Sequence, residues 1–386
     1  MNVLILHNRY EFKGGEDVYI DEIETVFKKQ PHKVNVRVFT VSNRDIAQKS
    51  FFKKISIIFN VVYSFIYKKQ ILEIVKDFKP DIIHIHNLFF LFGPGIIRKL
   101  YKLGIPMVMT LHNHRLICIN GLALRNGKHC RRCDRSLGIR PLIYNCNGNI
   151  FKSFIYWLGF FIHRNLGTFN LINKFISPSQ YMKNVYVEAG IPNYKIAVVS
   201  NFSIITEQKP LKASKRRSNS LFLGRFSHEK GVHILFEAAT RLPEITFIMA
   251  GTGAIKFHNI PKNVKFVGYL KSKEEIYKTF AHTKCLVLPS ICNETAALSA
   301  IEAVSCGIPV VVSRIGGLEE LPLADKFSFR AGDVNDLVKR IKEMYNQSFD
   351  QYKILSGKVR TVALERYSPA RHGEKLFELY RSILYT

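Results

Sequence analysis

Short runs rich in Val and Ile recur along the chain and alternate with longer stretches whose apolar residues return every three or four positions. The short runs predict strands at Asn2–Leu6, Val34–Thr40, Asp81–His86, Pro106–Leu111, Lys174–Ser177 and Ile196–Val199. A second series follows at Ser220–Leu223, Ile245–Ala250, Val264–Val267, Cys285–Pro289 and Pro309–Ser313. Strands apolar on both faces and separated by helices imply parallel sheets covered on each side, an α/β class with two doubly wound, Rossmann-like domains. The series restarts near residue 220, after the polar, basic stretch 206–219, which reads as a linker. The expected organisation is therefore a domain over 1–205, a second over 220–368, and an apolar-striped helix over 369–386 that crosses back to the first. In such sheets ligands sit beyond the carboxyl ends of the strands, so the expected ligand site is a cleft between the domains.

Charge changes this picture. The chain of 386 residues carries 57 Lys and Arg against 30 Asp and Glu, a net charge of +27 that attracts polyanions. Between Asp81 and Glu188 the one acidic residue is Asp134. Nucleic acid, anionic lipid and a pyrophosphate substrate are the candidate partners; no nucleic-acid-recognition motif is found, so nucleic acid is set aside. No run reaches the ~18–20 apolar residues of a membrane span. The first residues read as a buried strand rather than a signal peptide, and the chain is expected in the cytoplasm, where cysteines stay reduced. Residues 51–69 put Phe51, Ile55, Ile58, Phe59, Val62 and Ile66 on one helical face, flanked by Lys53, Lys54, Lys68 and Lys69. Residues 153–164 add the only tryptophan. Either stretch alone fits a core helix; together, in a basic half, they predict peripheral attachment to the anionic inner face of the cell membrane.

The densest chemistry lies in PSICNETAALSAIEAVSCGIPVVVSRIGGLEE, residues 289–320. A strand ends at Pro289, a loop carries Glu294 and a helix carries Glu302, eight residues on. At ~1.5 Å per residue the two carboxylates are about 12 Å apart along a helix, too far for a metal pair and suited to two ends of one extended ligand. Upstream, LFLGRFSHEKG puts Arg225 and Lys230 in a loop at a strand's carboxyl end, where two cations can neutralise a diphosphate. The order Gly-Arg…Lys, then Pro-Ser…Glu, seven residues, Glu-Ala, Gly-x-Pro-Val and Gly-Gly…Glu resembles the retaining glycosyltransferases of family four, of GT-B fold. Two departures stand out: Ala297 replaces a usual glycine, and Thr252 replaces an acid in the Met249–Gly253 turn.

The resemblance implies a nucleoside-diphosphate sugar as donor, with Glu302 on the ribose, Glu294 on the sugar, and Arg225 and Lys230 on the diphosphate. It implies that Gly253, Tyr269, Leu270, Thr295, Ala296 and Leu298 line the donor, and that His112 touches its sugar. Lys13-Gly14-Gly15-Glu16-Asp17 follows the first strand; Gly14 and Gly15 let backbone approach sugar and phosphate closely. Transfer is expected with retention and without a catalytic cofactor. The acceptor is expected to be a saccharide, with a lipid-pyrophosphate-linked one favoured by the basic, aromatic first half, as in cell-surface polysaccharide assembly. The alternatives are a non-catalytic lipid- or nucleic-acid-binding protein and a GT-B nucleotide-sugar epimerase.

Two further groups stand apart. His84 and His86 share one face of a strand without a third ligand, which points to a structural or acceptor-facing role. Cys118, Cys130, Cys133 and Cys146 fall in an insertion over 116–148, where Cys-x₂-Cys flanked by two more cysteines can wrap a structural zinc or remain as free thiols. The family resemblance extends to a subset with a similar Cys-rich insertion on the acceptor side.

Overall fold

The computed structural model describes the chain except residues 12, 29–33, 45–50, 90, 135, 208–210, 212–217, 254, 256, 258 and 386, and the side chains of 51–55. The chain divides into two compact units, one built from Met1–Arg125, Cys130–Val199 and His372–Thr386, the other chiefly from Ser200–Arg371.

The first unit holds strands β1 (Asn2–Arg9), β2 (Asn35–Ser42), β3 (Ile82–Ile85) and β4 (Met107–Thr110); a short hairpin of β5 (Leu124–Arg125) and β6 (Lys128–His129) follows in the chain, and then the first unit's β7 (Lys174–Ser177) and β8 (Ile196–Val198). Its main sheet runs β2-β1-β3-β4-β7-β8, with parallel pairings throughout. Val3 to Leu6 and Ile82 to Ile85 are fully buried, as strands covered on both faces require. The longer helices are α1 (Gly15–Lys28), α2 (Phe51–Tyr63), α3 (Lys68–Phe78), α4 (Gly95–Tyr101), α5 (Ile150–Asn165) and α6 (Gln180–Glu188), with a single helical turn over Arg140–Ile143 before α5. Side-chain caps start two of them: Asn149 accepts from Lys152 N, and Ser179 from Met182 N.

The second unit holds β9 (Asn219–Leu223), β10 (Phe247–Ala250), β11 (Val264–Gly268), β12 (Thr283–Leu288), β13 (Val310–Ser313) and β14 (Ser328–Phe329) in the order β11-β10-β9-β12-β13-β14, again parallel. Its helices include α7 (Val232–Thr240), α8 (Lys273–Ala281), α9 (Leu298–Ser305), α10 (Val334–Tyr345) and α11 (Phe349–Tyr367). The last helix, α12 (Pro369–Leu384), buries Leu376 and Tyr380, whose hydroxyl meets His84 Nδ1 at 2.7 Å and so ties the helix to β3. The two doubly wound α/β sheets expected from the sequence are thus present.

Some expectations change. Thr206, placed in the linker, is buried and its hydroxyl donates to Ser203 O at 2.8 Å, closing a helical turn over Ile204–Glu207. Most of the remaining linker lies outside the described residues. The 51–69 stretch is not one amphipathic helix with a free apolar face. Ile57 and Val61 enter the core and Ile58, Val62 and Ile66 pack against it, leaving Phe59, Tyr63 and Phe65 exposed. The side chains of Phe51, Lys53, Lys54 and Ile55 lie outside the described residues. The Cys-rich insertion, which lacks a strong periodicity, is nevertheless anchored: Ile117, Ile119 and Leu137 join the first unit's core, and Arg164 donates to the carbonyls of Cys133 and Asp134. Among the described residues no helix is long and apolar enough to cross a membrane.

Candidate active site

In the second unit the chain winds from β9 outward to β11, then returns to the other side of β9 with β12. The crevice at the carboxyl ends of β9 and β12 is the topological switch point, where open α/β sheets bind ligands. Two loops meet there. Gly231 has φ +71, and a Cβ on it would lie 1.8 Å from Pro289 O, so only glycine lets the loop after β9 close on the end of β12. Ile291 N then donates to Glu229 O at 2.9 Å.

This contact brings Lys230 and Glu294 together. Lys230 Nζ lies 2.5 Å from Glu294 Oε1, which also accepts from Ser290 Oγ at 2.7 Å. Burial opposes the charge on Glu294, but Lys230 and the hydrogen bonds outweigh it and hold the carboxyl below its ordinary range. Burial likewise works against the Lys230 ammonium, and Glu294 overcomes it, raising its pKa. Both groups are therefore charged at neutral pH. On the other side of the loop, Gly317 N donates to Glu294 O at 2.7 Å, and Gly316, at φ +61, has no room for a Cβ beside that carbonyl.

The other cations and acids are also paired. Arg225 is more than half exposed and meets Glu229 at 3.0 Å. Glu302, on α9, is buried and forms an ion pair with Lys273 from the first turn of α8. Thr295, Ala296 and Leu298 lie half-buried about the start of α9. Tyr269 is exposed and Leu270 half-buried just beyond β11. Gly253 follows β10 and packs so closely that a Cβ would lie 1.9 Å from Phe226 O, which accounts for its small size by packing. All the second-unit candidates thus follow carboxyl ends of neighbouring strands. Sequence reasoning missed Lys273, Ser290 and Glu229; only Ser290 carried a signal, as part of the Pro-Ser…Glu pattern.

In the first unit, Gly14 and Gly15 stand at the start of α1. Gly14 N donates to Asp17 Oδ2 at 2.9 Å, and Asp17 also meets His7 Nε2 at 2.9 Å. Glu16 and Asp17 supply negative charge to the first turn of α1, while a Cβ on Gly14 would meet nothing within 4 Å. Glu16 accepts from Tyr10 at 2.9 Å, and burial, against the pull of His7, raises its carboxyl pKa.

His112 lies just past β4, 2.7 Å from His86 Nδ1 through its Nε2, with the rings stacked at 5.0 Å. Burial first, then neighbouring histidines, pushes both well below their ordinary pKa, so both are neutral. His84 is taken down to about 3, chiefly by burial, and bridges Tyr380 and Thr110 at 2.7 Å each. Its role is to join α12, β3 and β4.

Cys118, Cys130, Cys133 and Cys146 form no disulfide and line one small cavity with Asn120, Arg125 and Tyr144. Burial, then the neighbouring cysteines, raises Cys118 and Cys146 and pushes Cys133 up to about 12. Among the described residues no three of His, Cys, Asp or Glu stand where they hold a metal ion. The structure therefore brings the four cysteines to one place without a formed coordination shell.

Two family models together match most of the chain: Glycosyltransferase Family 4 over residues 13–203 and Glycosyl transferases group 1 over residues 203–360. Relatives include a sulfoquinovosyl transferase of Arabidopsis thaliana, 26% identical over 77% of this chain and 56% of its own length. An uncharacterized glycosyltransferase of Methanocaldococcus jannaschii is 26% identical over 71% of this chain and 68% of its own. The chain thus spans little more than half of the plant relative. Among solved structures, Anabaena HepE in complex with UDP and glucose aligns over 99% of this chain and 100% of its own, with TM-score 0.66 at 17% identity. Sucrose-phosphate synthase from Thermosynechococcus elongatus aligns over 100% of this chain and 99% of its own, with TM-score 0.71 at 14% identity. At those identities the likeness is one of fold, and that fold is GT-B. The chain belongs to the family-four glycosyltransferases, its second unit being of the group 1 type.

Proposed function

We propose that the protein is a retaining glycosyltransferase that moves a hexose from a nucleoside-diphosphate sugar to a saccharide acceptor. The observation that carries this reading is the Lys230–Glu294 pair at the switch point of the second unit. An ammonium has three N–H donors. With one given to Glu294, two are left for diphosphate oxygens, while the second Glu294 oxygen can accept from a sugar hydroxyl. Arg225, exposed on the same loop, adds a second cation to the diphosphate. Glu302 receives the ribose hydroxyls, Tyr269 and Leu270 flank the nucleobase, and Gly253, Thr295, Ala296 and Leu298 complete the donor surface. The family resemblance alone assigns His112 to the donor sugar. Anabaena HepE, bound to UDP and glucose, supports a nucleotide-sugar donor.

In the transfer, the bond from the anomeric carbon to the diphosphate oxygen breaks as the acceptor oxygen bonds to that carbon on the same face. The acceptor's proton passes to the departing phosphate oxygen. The protein's part is to stabilise the leaving diphosphate with fixed cations, which needs no catalytic metal. The acceptor is assigned as a lipid-pyrophosphate-linked saccharide in surface-polysaccharide synthesis, on the basic, aromatic character of the first unit, and the protein's place as the inner face of the cell membrane. The four cysteines are proposed to close on a structural zinc. Proton NMR of the product formed from UDP- or GDP-sugars tests the reaction: retained anomeric configuration supports it, and inversion overturns it.

A further inference from the structure

We infer that the outer face of α5, with the turn before it, is a docking surface for an anionic lipid bilayer. Helix α5 is apolar nearly all round, yet one side alone is covered. Ile155, Tyr156 and Phe160 are buried in the core of the first unit. Phe151, Phe154 and Phe161, spaced to share the opposite side, stay exposed, Phe151 at 46%. A helix facing water carries polar side chains there.

The exposed rings are held ready. Trp157 stacks on Phe161 with centroids 5.0 Å apart, lies 5.9 Å from Phe154, and donates Nε1–H to Gly138 O at 2.6 Å. That bond fixes the preceding turn beside the helix, where Ile139 and Ile143 are 61% and 67% exposed. Ile150 and Leu166 extend the apolar surface at either end of the helix. A contiguous patch of this kind on a folded chain marks an interaction surface.

Charge selects the occupant. Arg132, Arg140 and Lys152 stand exposed in the same segments. From residue 82 to 187 the one acid is Asp134, which is buried and bonded to Arg131. An apolar aromatic face with a cationic, acid-free border matches the interface of a bilayer bearing anionic headgroups. A second copy of the chain would set two such borders against each other. Of the two stretches the sequence offers, 51–69 and 153–164, the second is the one whose exposed rings are described throughout and braced by Trp157. It does not rest on the donor reading.

Flotation of the full chain with vesicles tests this. The chain should float with phosphatidylcholine vesicles containing a third phosphatidylglycerol, stay behind with phosphatidylcholine alone, and release as salt rises. Trp157, the only tryptophan, should be quenched by lipids brominated on the upper acyl chain. I143E/F154E should weaken binding about tenfold or more, with thermal unfolding unchanged because both side chains are exposed. Unaltered binding by that variant, no binding by the natural chain, or a dimer in sedimentation that the variant dissociates would each overturn the proposal.

Discussion

Lys230 Nζ and Glu294 Oε1, 64 positions apart in the chain, meet at 2.5 Å across the carboxyl ends of β9 and β12. Each charge is held in a largely buried place by the other. Removing one partner therefore acts on folding as well as on chemistry. Lys230→Met should destabilise the second unit by roughly 2–3 kcal/mol, because a buried carboxylate is left uncompensated. Adding Glu294→Gln should restore most of the stability and none of the transfer, measured by thermal unfolding and by nucleotide release.

The pair also sets a pH window. Glu294 is lowered when folded, so its contribution is present above the unfolded carboxyl pKa and fades as pH falls through the folded value. Lys230 is raised, so its contribution is present below the unfolded lysine pKa and fades as pH rises through the folded value. The difference in unfolding free energy between the natural chain and Lys230→Met should be flat from about pH 5 to 10 and shrink outside that range. Urea titrations across pH measure it.

The histidine cluster of the first unit predicts acid sensitivity. His84, His86 and His112 have folded pKa values below the unfolded value of about 6.5, so the unfolded chain binds more protons. Stability should fall as pH drops below that value, by about 1.4 kcal/mol per pH unit for each histidine. His84→Gln should lower the slope by roughly a third, while costing some stability at pH 7 through the lost Tyr380 and Thr110 bonds.

The cysteines give a compositional prediction. If zinc draws the four thiols together, purified protein prepared without chelator should hold about one zinc per chain. Cys130→Ser/Cys133→Ser should lose it, with a lower melting temperature. Elemental analysis finding no metal in the natural chain assigns the cavity to free thiols.

Fold and site were legible to different degrees. The main strands could be read because runs such as Val3–Leu6 and Val310–Val312 are apolar on both faces, which few other structures permit. Ser328–Phe329 escaped, being two residues long. The glutamates and cations of the site were legible because their order and spacing are unusual. Their pairing was not: nothing in the local sequence says that Lys230 reaches Glu294 rather than a phosphate, or that Lys273 meets Glu302. Those contacts depend on strand order, which brings β9 beside β12. The contact at Gly14 was hidden for a similar reason. Two glycines before a helix suggest an anion site, and nothing in that pattern says that Asp17 folds back to accept from the Gly14 amide.

The central claim is that the Lys230–Glu294 site holds a nucleotide sugar for transfer, and enzyme-dependent release of nucleoside diphosphate from a panel of nucleotide sugars tests it most directly. The natural chain should hydrolyse one donor slowly without acceptor. Arg225→Ala and Lys230→Ala should each lose about 2–4 kcal/mol of transition-state stabilisation, roughly 30- to 1000-fold in rate. Glu294→Gln should lower turnover with nucleotide affinity nearly intact, and Glu302→Gln should mainly weaken nucleotide binding. Release at the natural rate by both cation variants, or no release from any sugar of the panel, would contradict the account.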